Sequence, residues 1–187
     1  MSASVTLSSD RVCLRRWRDD DREAFAAMNS DARVMEFFHS RLSRIESDAM
    51  VDRIEKHFTE HGFGLWAIEV PGVAPFIGFA GLASARFNAP FTPCVEVGWR
   101  LAFAHWRHGY ATEAARLALG YGFGTLALSE IVSFTSVANH RSRAVMERLG
   151  MRRDPAEDFD YPGFPEGHRL QRHVLYRLGS GTYVGTC

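Results

Sequence analysis

Residues 94–124, CVEVGWRLAFAHWRHGYATEAARLALGYGFG, narrow the fold more than any other part of the chain. Val95, Val97 and Trp99 alternate with Glu96, Gly98 and Arg100, the two-residue period of a β-strand. After a turn at 106–111, Ala111, Ala114, Ala115 and Ala118, with Tyr110, Leu117 and Tyr121, recur at helical spacing. Thr112, Glu113 and Arg116 are expected on the outer face. A helix opened in this way leaves its first N–H groups without carbonyl partners. They sit at the positive end of a dipole worth about half an elementary charge, and such an end binds phosphate. Gly109 has no Cβ to hold a ligand off the backbone, and Arg107 and His108 add charge. The same residues also suit an ordinary strand-to-helix turn with a solvated Arg–His pair, since one glycine is a weak signal.

The rest of the chain mixes strands and helices. Val12, Leu14 and Trp17 predict a first strand, with Arg11, Arg15 and Arg16 interleaved. Asp19, Asp20 and Asp21 predict a helix start, because acids in a first turn suit the dipole; Phe25 and Met28 form its buried stripe. A second helical stretch is expected from near Met35. A third is expected over 45–61, where Met50, Val51, Ile54 and Phe58 keep helical spacing and Gly62 supplies the stop. Alternation predicts a strand over 65–70, Pro71-Gly72 a turn, and 75–82 the returning strand. Gly78 and Gly81 within it imply a bulge or the close approach of another backbone. Residues 130–137 alternate again, and Asn139 suits the cap of a helix that stops at Gly150. Residues 151–171 are polar and hold three prolines; 172–178 predict the last strand, with a loosely held tail after Gly179. This order implies one α/β domain over 1–187, with its core at about 11–178 and short loose tails at both ends. Its sheet should be mixed, mostly antiparallel and flanked by helices.

Composition narrows function by exclusion. A chain of 187 residues, 46% hydrophobic and 24% charged, is ordinary for a globular protein with a substantial core. Formal net charge is zero, which gives no basic surface for nucleic acid and no polybasic membrane signal. Cys13, Cys94 and Cys187 are odd in number and widely spaced, so neither a disulfide framework nor a zinc site is expected, and a reducing cytoplasm is the natural setting. The N-terminus lacks an apolar core of signal-peptide length, and no apolar run approaches the roughly 20 residues that span a bilayer.

The text VEVGWRLAFAHWRHGYATEA resembles the GNAT superfamily of N-acetyltransferases, in which the turn holds the pyrophosphate of coenzyme A. It is most similar to the RimJ/RimL branch of ribosomal-protein N-acetyltransferases, whose motif runs E-(I/V)-G-(Y/W)-x-L-x-x-x-x-W-x-x-G-Y-A-T-E-A. Trp106 stands where the wider family has Gln or Arg, and Ala111 replaces the last glycine. The resemblance spans roughly 11–178 and implies acetyl-CoA as cosubstrate, with no metal. The acceptor is then a primary amine, on a protein N-terminus or a small molecule, attacked directly in a ternary complex. It implies contacts to coenzyme A from Trp99, Leu101, Arg107, His108, Gly109, Tyr110, Ala111, Thr112, Asn139 and Ser142. A homodimer is an assembly open to such a chain.

Acyl transfer to an amine needs a proton acceptor, a polarised carbonyl and help for the departing thiolate. Glu96, on the organising strand, is the candidate base; the plainer reading pairs it with a neighbouring arginine. Asn139 and Ser142 form N-x-x-S; the resemblance to the RimL-like branch implies the asparagine for the pantetheine arm and the serine near sulfur, although Asn139 also suits a plain helix cap. The wider family places a tyrosine acid seven residues after the asparagine position. Here Met146 stands there, which leaves Ser142 as the candidate acid. The loop 154–168 carries Asp154, Glu157, Asp158 and Asp160, which either attract a cationic amine or are merely solvated. Trp17, Phe25, Phe37 and Phe38 are expected in the core, near the acceptor groove. A non-catalytic module that binds coenzyme A, and an enzyme for another phosphate-bearing ligand, are the rival readings.

Overall fold

Strands form where apolar and polar residues alternate, and in a computed structural model describing residues 5–185 they join one sheet. In chain order they are β1 (Leu7–Ser8), β2 (Cys13–Arg15), β3 (Leu65–Val70), β4 (Ala74–Ser84), β5 (Val95–Leu101), β6 (Glu130–Ser136), β7 (Arg152–Arg153), β8 (Phe159–Asp160) and β9 (Arg172–Gly179). The helices are α1 (Asp21–Ser30), α2 (Arg44–His61), α3 (Tyr110–Gly124) and α4 (His140–Arg148). The sheet order is β1-β2-β3-β4-β5-β6-β9-β7, with β8 also on β9. Every pairing is antiparallel except β5 with β6. The expected mixed α/β sheet, mostly antiparallel and flanked by helices, is what the chain forms.

Pairing partners share a face of the sheet. Leu82 pairs with Val97, and this face receives α3: a Cβ added at Gly122 would lie 2.6 Å from Ile131 Cδ1 and 3.0 Å from Leu82 Cδ1. Ala114, Ala115, Ala118 and Leu119 are fully buried there. Phe79 pairs with Arg100 on the opposite face, where Phe79 packs on Phe25 of α1 and on Trp17 from the segment before it. The close approaches expected at two glycines are present. A Cβ at Gly78 would stand 2.2 Å from the Arg100 carbonyl, and one at Gly81 would stand 2.1 Å from the Gly64 carbonyl.

Helix ends follow local chemistry. Gly62 closes α2 in the left-handed region at φ 77°. Ser43 and Glu46 form a reciprocal capping box at its start, a signal present in the sequence as S-x-x-E. Two expectations fail. No helix starts near Met35: residues 31–42 are turns and bends, and Leu42 N–H donates back to the Asn29 carbonyl, closing the loop on the end of α1. Thr112 is buried rather than on the outer face, because the first turn of α3 lies against the sheet. Toward the chain ends, Trp66 Nε1 donates to the Val5 carbonyl and Tyr183 packs on Phe123, while Val184 is exposed. Of the tails expected outside 11–178, residues 1–4 and 186–187 lie outside the described residues.

Candidate active site

The sheet parts between its two parallel strands. Strands β5 and β6 share a single register pair, Glu96 with Val132. One residue further on, the Val97 carbonyl is satisfied by the Ser133 hydroxyl at 2.9 Å rather than by a ladder N–H. From that point a groove of about 2510 Å³ opens, bordered by Trp99, Tyr110 and Thr112 from β5 and α3, and by Asn139 and Ser142 from the start of α4. Parallel strands that diverge leave backbone groups and a helix N-terminus facing one opening, and ligands gather at such openings.

The turn before α3 is held open by unusual backbone. Arg107 and Gly109 take φ of 65° and 83°, so glycine at 109 is required by conformation. A Cβ there would meet only Arg11 Nη2 within 4 Å, at 3.5 Å, so the space beside Gly109 is open. Gly109 caps α3 without a side-chain hydrogen bond, which leaves the first-turn N–H groups for an anion. Arg107 and His108 are exposed beside it. Arg11, from the segment before β2, donates to the His108 carbonyl and to Glu113, tying the turn to the N-terminal edge of the sheet. Leu101 is buried, but borders the groove; its carbonyl accepts from Trp106 Nε1 at 2.8 Å, which fixes the tryptophan at the turn.

Asn139 does more than cap. Its Oδ1 accepts from Ser142 N–H at 3.2 Å, and this fixes the orientation of the amide. Its Nδ2 then donates to both Ser142 Oγ and Thr135 Oγ1, each at 3.0 Å. With a lone pair of Ser142 Oγ engaged, its proton is free to be donated into the groove. Met146 is buried beneath this turn and borders the groove, but its thioether has no proton to donate.

Glu96 borders the same groove and makes no ion pair among the described residues, so the arginine partner of the plainer reading is not found. Burial alone pushes its carboxyl up to about 7. The sheet arginine Arg177 is taken by Glu157 and Glu130. Tyr161 stands close enough to Glu96 for the carboxylate to raise its phenol, after burial as the larger cause. Cys94 is pushed up to about 11 by burial and then by Glu96, so its thiol is a poor nucleophile at neutral pH.

The loop 154–168 contributes aromatics rather than acids. Asp158 pairs with Arg153, Asp160 with Arg172, Glu157 with Arg177, and Asp154 caps the short turn at Ala156. These four carboxylates are therefore already neutralised by arginines or engaged by backbone. Tyr161 and Phe164 enter the groove instead, Tyr161 stacked on His173 with ring centroids 4.9 Å apart. The four early aromatics divide. Trp17 and Phe25 are core, while Phe37 and Phe38 line the groove, Phe38 being 38% exposed. The loop 31–42 that carries them is fastened across the opening by Arg141 to Glu36 and by Arg169 to the Glu36 carbonyl. Sequence reasoning missed Tyr161 and Arg100 as groove residues. For Arg100 the signal was present, since it lies on the Glu96 face of an alternating strand.

This strand–turn–helix beside a parted parallel pair defines the class. Residues 11–152 match the family model described as the acetyltransferase (GNAT) domain, and the chain belongs to that family. It is 39% identical over 176 residues to the uncharacterized N-acetyltransferase YnaD of Bacillus subtilis, covering 92% of this chain and 95% of that one. A GNAT-family acetyltransferase structure from Bacillus anthracis superposes with a TM-score of 0.78 at 22% identity, covering 95% of this chain and 99% of the other. The ribosomal-protein-S5-alanine acetyltransferase of Vibrio fischeri shares the fold at a TM-score of 0.74 and 15% identity, over 96% and 99% of the two chains. The protein is thus an acetyltransferase of the GNAT family. Among the described residues, no helix is long and apolar enough to cross a membrane.

Proposed function

We propose that this acetyltransferase moves the acetyl group of acetyl-CoA directly to a primary amine in a ternary complex, as in the RimJ/RimL-like branch. The observation that carries the reading is Glu96: a carboxyl with no ion pair among the described residues, held at about 7, in the same groove as a helix N-terminus without a side-chain cap. A base poised near neutral pH takes a proton from an ammonium or attacking amine at the pH where the enzyme works. The turn 107–112 would hold the pyrophosphate through the N–H groups of α3, with Arg107 and His108 adding charge. Trp99, Leu101 and Asn139 border the path of the pantetheine arm. Ser142 donates its free proton toward the departing thiolate, and Glu96 accepts the proton of the amine. The whole chain acts as one domain in this reading, in the cytoplasm, where Cys13 and Cys94 stay free.

The test is release of free thiol from acetyl-CoA across a panel of primary amines, with mass spectrometry of the products. Thiol release that depends on the amine and yields its N-acetyl derivative supports the reading. Tight binding of coenzyme A with no amine-dependent release would instead make the protein a binding module.

A further inference from the structure

Arginine is seldom buried without a partner for its charge. Arg15 shows the usual solution in this protein: its guanidinium meets Asp21 at 2.8 Å, Glu69 at 2.7 Å and the Pro75 carbonyl at 2.5 Å. Arg100 is as deeply placed, 9% exposed, and has no carboxylate among the described residues. Its Nη1 donates to Asn29 Oδ1 at 2.7 Å, and Asn29 in turn donates to Ser47 Oγ at 2.9 Å, a neutral chain. Its buried Nε has no partner. The rings of Phe38 and Phe79 lie 3.9 and 5.4 Å from the guanidinium carbon, so aromatic faces flank it. An arginine edge of this kind is shaped for two-pronged binding of a carboxylate. Desolvation, with no opposing charge, draws Arg100 down to about 10, the reverse of the upward shift at Arg15.

Arg100 also borders the groove and shares a face of β5 with Glu96. Between them stands Gly98, where an added Cβ would meet nothing within 4 Å. The face therefore presents a carboxyl, an open bay and a guanidinium in sequence. Their Cα atoms are roughly 13 Å apart along an extended strand, and the two side chains shorten the span left for a ligand.

We infer that the acceptor is an amino carboxylate: its amine reacts beside Glu96, and Arg100 binds a carboxylate several bonds from that nitrogen. This rests on the acetyl-transfer reading above and names its substrate class. An α-amino acid that acylates its α-nitrogen is too short to reach both groups, whereas an ω-amino acid spans the bay.

The experiment compares 6-aminohexanoate with hexylamine, which differ in the carboxylate alone. With acetyl-CoA, the wild-type kcat/KM should favour 6-aminohexanoate by roughly 10- to 100-fold, the worth of a charged hydrogen-bonded contact. In Arg100→Met the ratio should collapse to about one, mostly because the amino acid binds more weakly and its KM rises. Arg100→Lys, which keeps the charge and the fold, should retain part of the preference. A purely structural arginine would slow both amines alike and leave their ratio unchanged, which would overturn the inference. Calorimetry on the protein loaded with coenzyme A repeats the comparison without turnover. Selective binding of 6-aminohexanoate that is lost in Arg100→Met supports the inference, and equal binding of both amines by the wild type refutes it. If selective binding persists while no amine is acetylated, the acetyl-transfer reading fails and the role of Arg100 in binding a carboxylate stands.

Discussion

Replacing Glu96 by Gln keeps the shape of the side chain and removes its ability to ionise, so it separates two consequences of one buried carboxyl. Burial holds that carboxyl at about 7, above its ordinary 4.5. The folded protein therefore holds the proton more tightly than the unfolded chain does. The stability this contributes is complete below about pH 4.5 and is lost as pH rises through about 7. At about 1.4 kcal/mol per pH unit, keeping Glu96 ionised in the fold at pH 9 costs up to about 3 kcal/mol. An amide carries no such cost. Glu96→Gln should thus melt roughly 5–10 °C above the wild type at pH 9, with the gap closing as pH falls toward 5. In activity the order reverses. The wild-type kcat/KM should rise with pH through about 7 and level off, while the variant should lose roughly 10²–10⁴-fold and the limb set by Glu96. Scanning calorimetry from pH 5 to 9 and initial rates over the same range measure both. A melting difference that does not vary with pH would show that Glu96 is not buried as a raised acid. A variant with near-normal rates would show that another group takes the proton.

Ser142→Ala should lower kcat roughly 10- to 100-fold, because a thiol of pKa about 8.5 needs only modest help to leave at neutral pH; an acyl donor with a better leaving group should restore the rate in this variant and not in Glu96→Gln. Gly109→Ala forces a side chain into φ 83°, and should cost about 1 kcal/mol of stability and weaken coenzyme A binding measured by calorimetry; unchanged affinity would move the anion site away from the turn. Asp21→Asn removes the charge of Arg15's main partner, in a site where the two side chains are 6% and 3% exposed, and leaves Glu69 to balance the guanidinium; it should cost about 1.5–3 kcal/mol by denaturant titration while leaving the affinity for coenzyme A intact.

The sequence alone determined those parts of the protein that depend on neighbours along the chain. The period of β5, the glycine-bearing turn and the alanine stripe of α3 are local patterns, and each appears where its spacing put it. So do the Asn139 cap and the Gly62 stop, since a cap is a bond between residues three or four apart. What only the tertiary structure decided depends on residues brought together from distant segments. Whether Glu96 finds an arginine is settled by where Arg100, Arg177, Asn29 and Glu157 come to lie, and spacing along one strand does not carry that information. Asp154, Glu157, Asp158 and Asp160 look free as a string of letters, yet each meets an arginine or a backbone N–H once β7, β8 and β9 align. Phe37 and Phe38 read as core because they are apolar. They border the groove because the chain between α1 and α2, having no helical register to bury them, is fastened across the opening by Arg141 and Arg169.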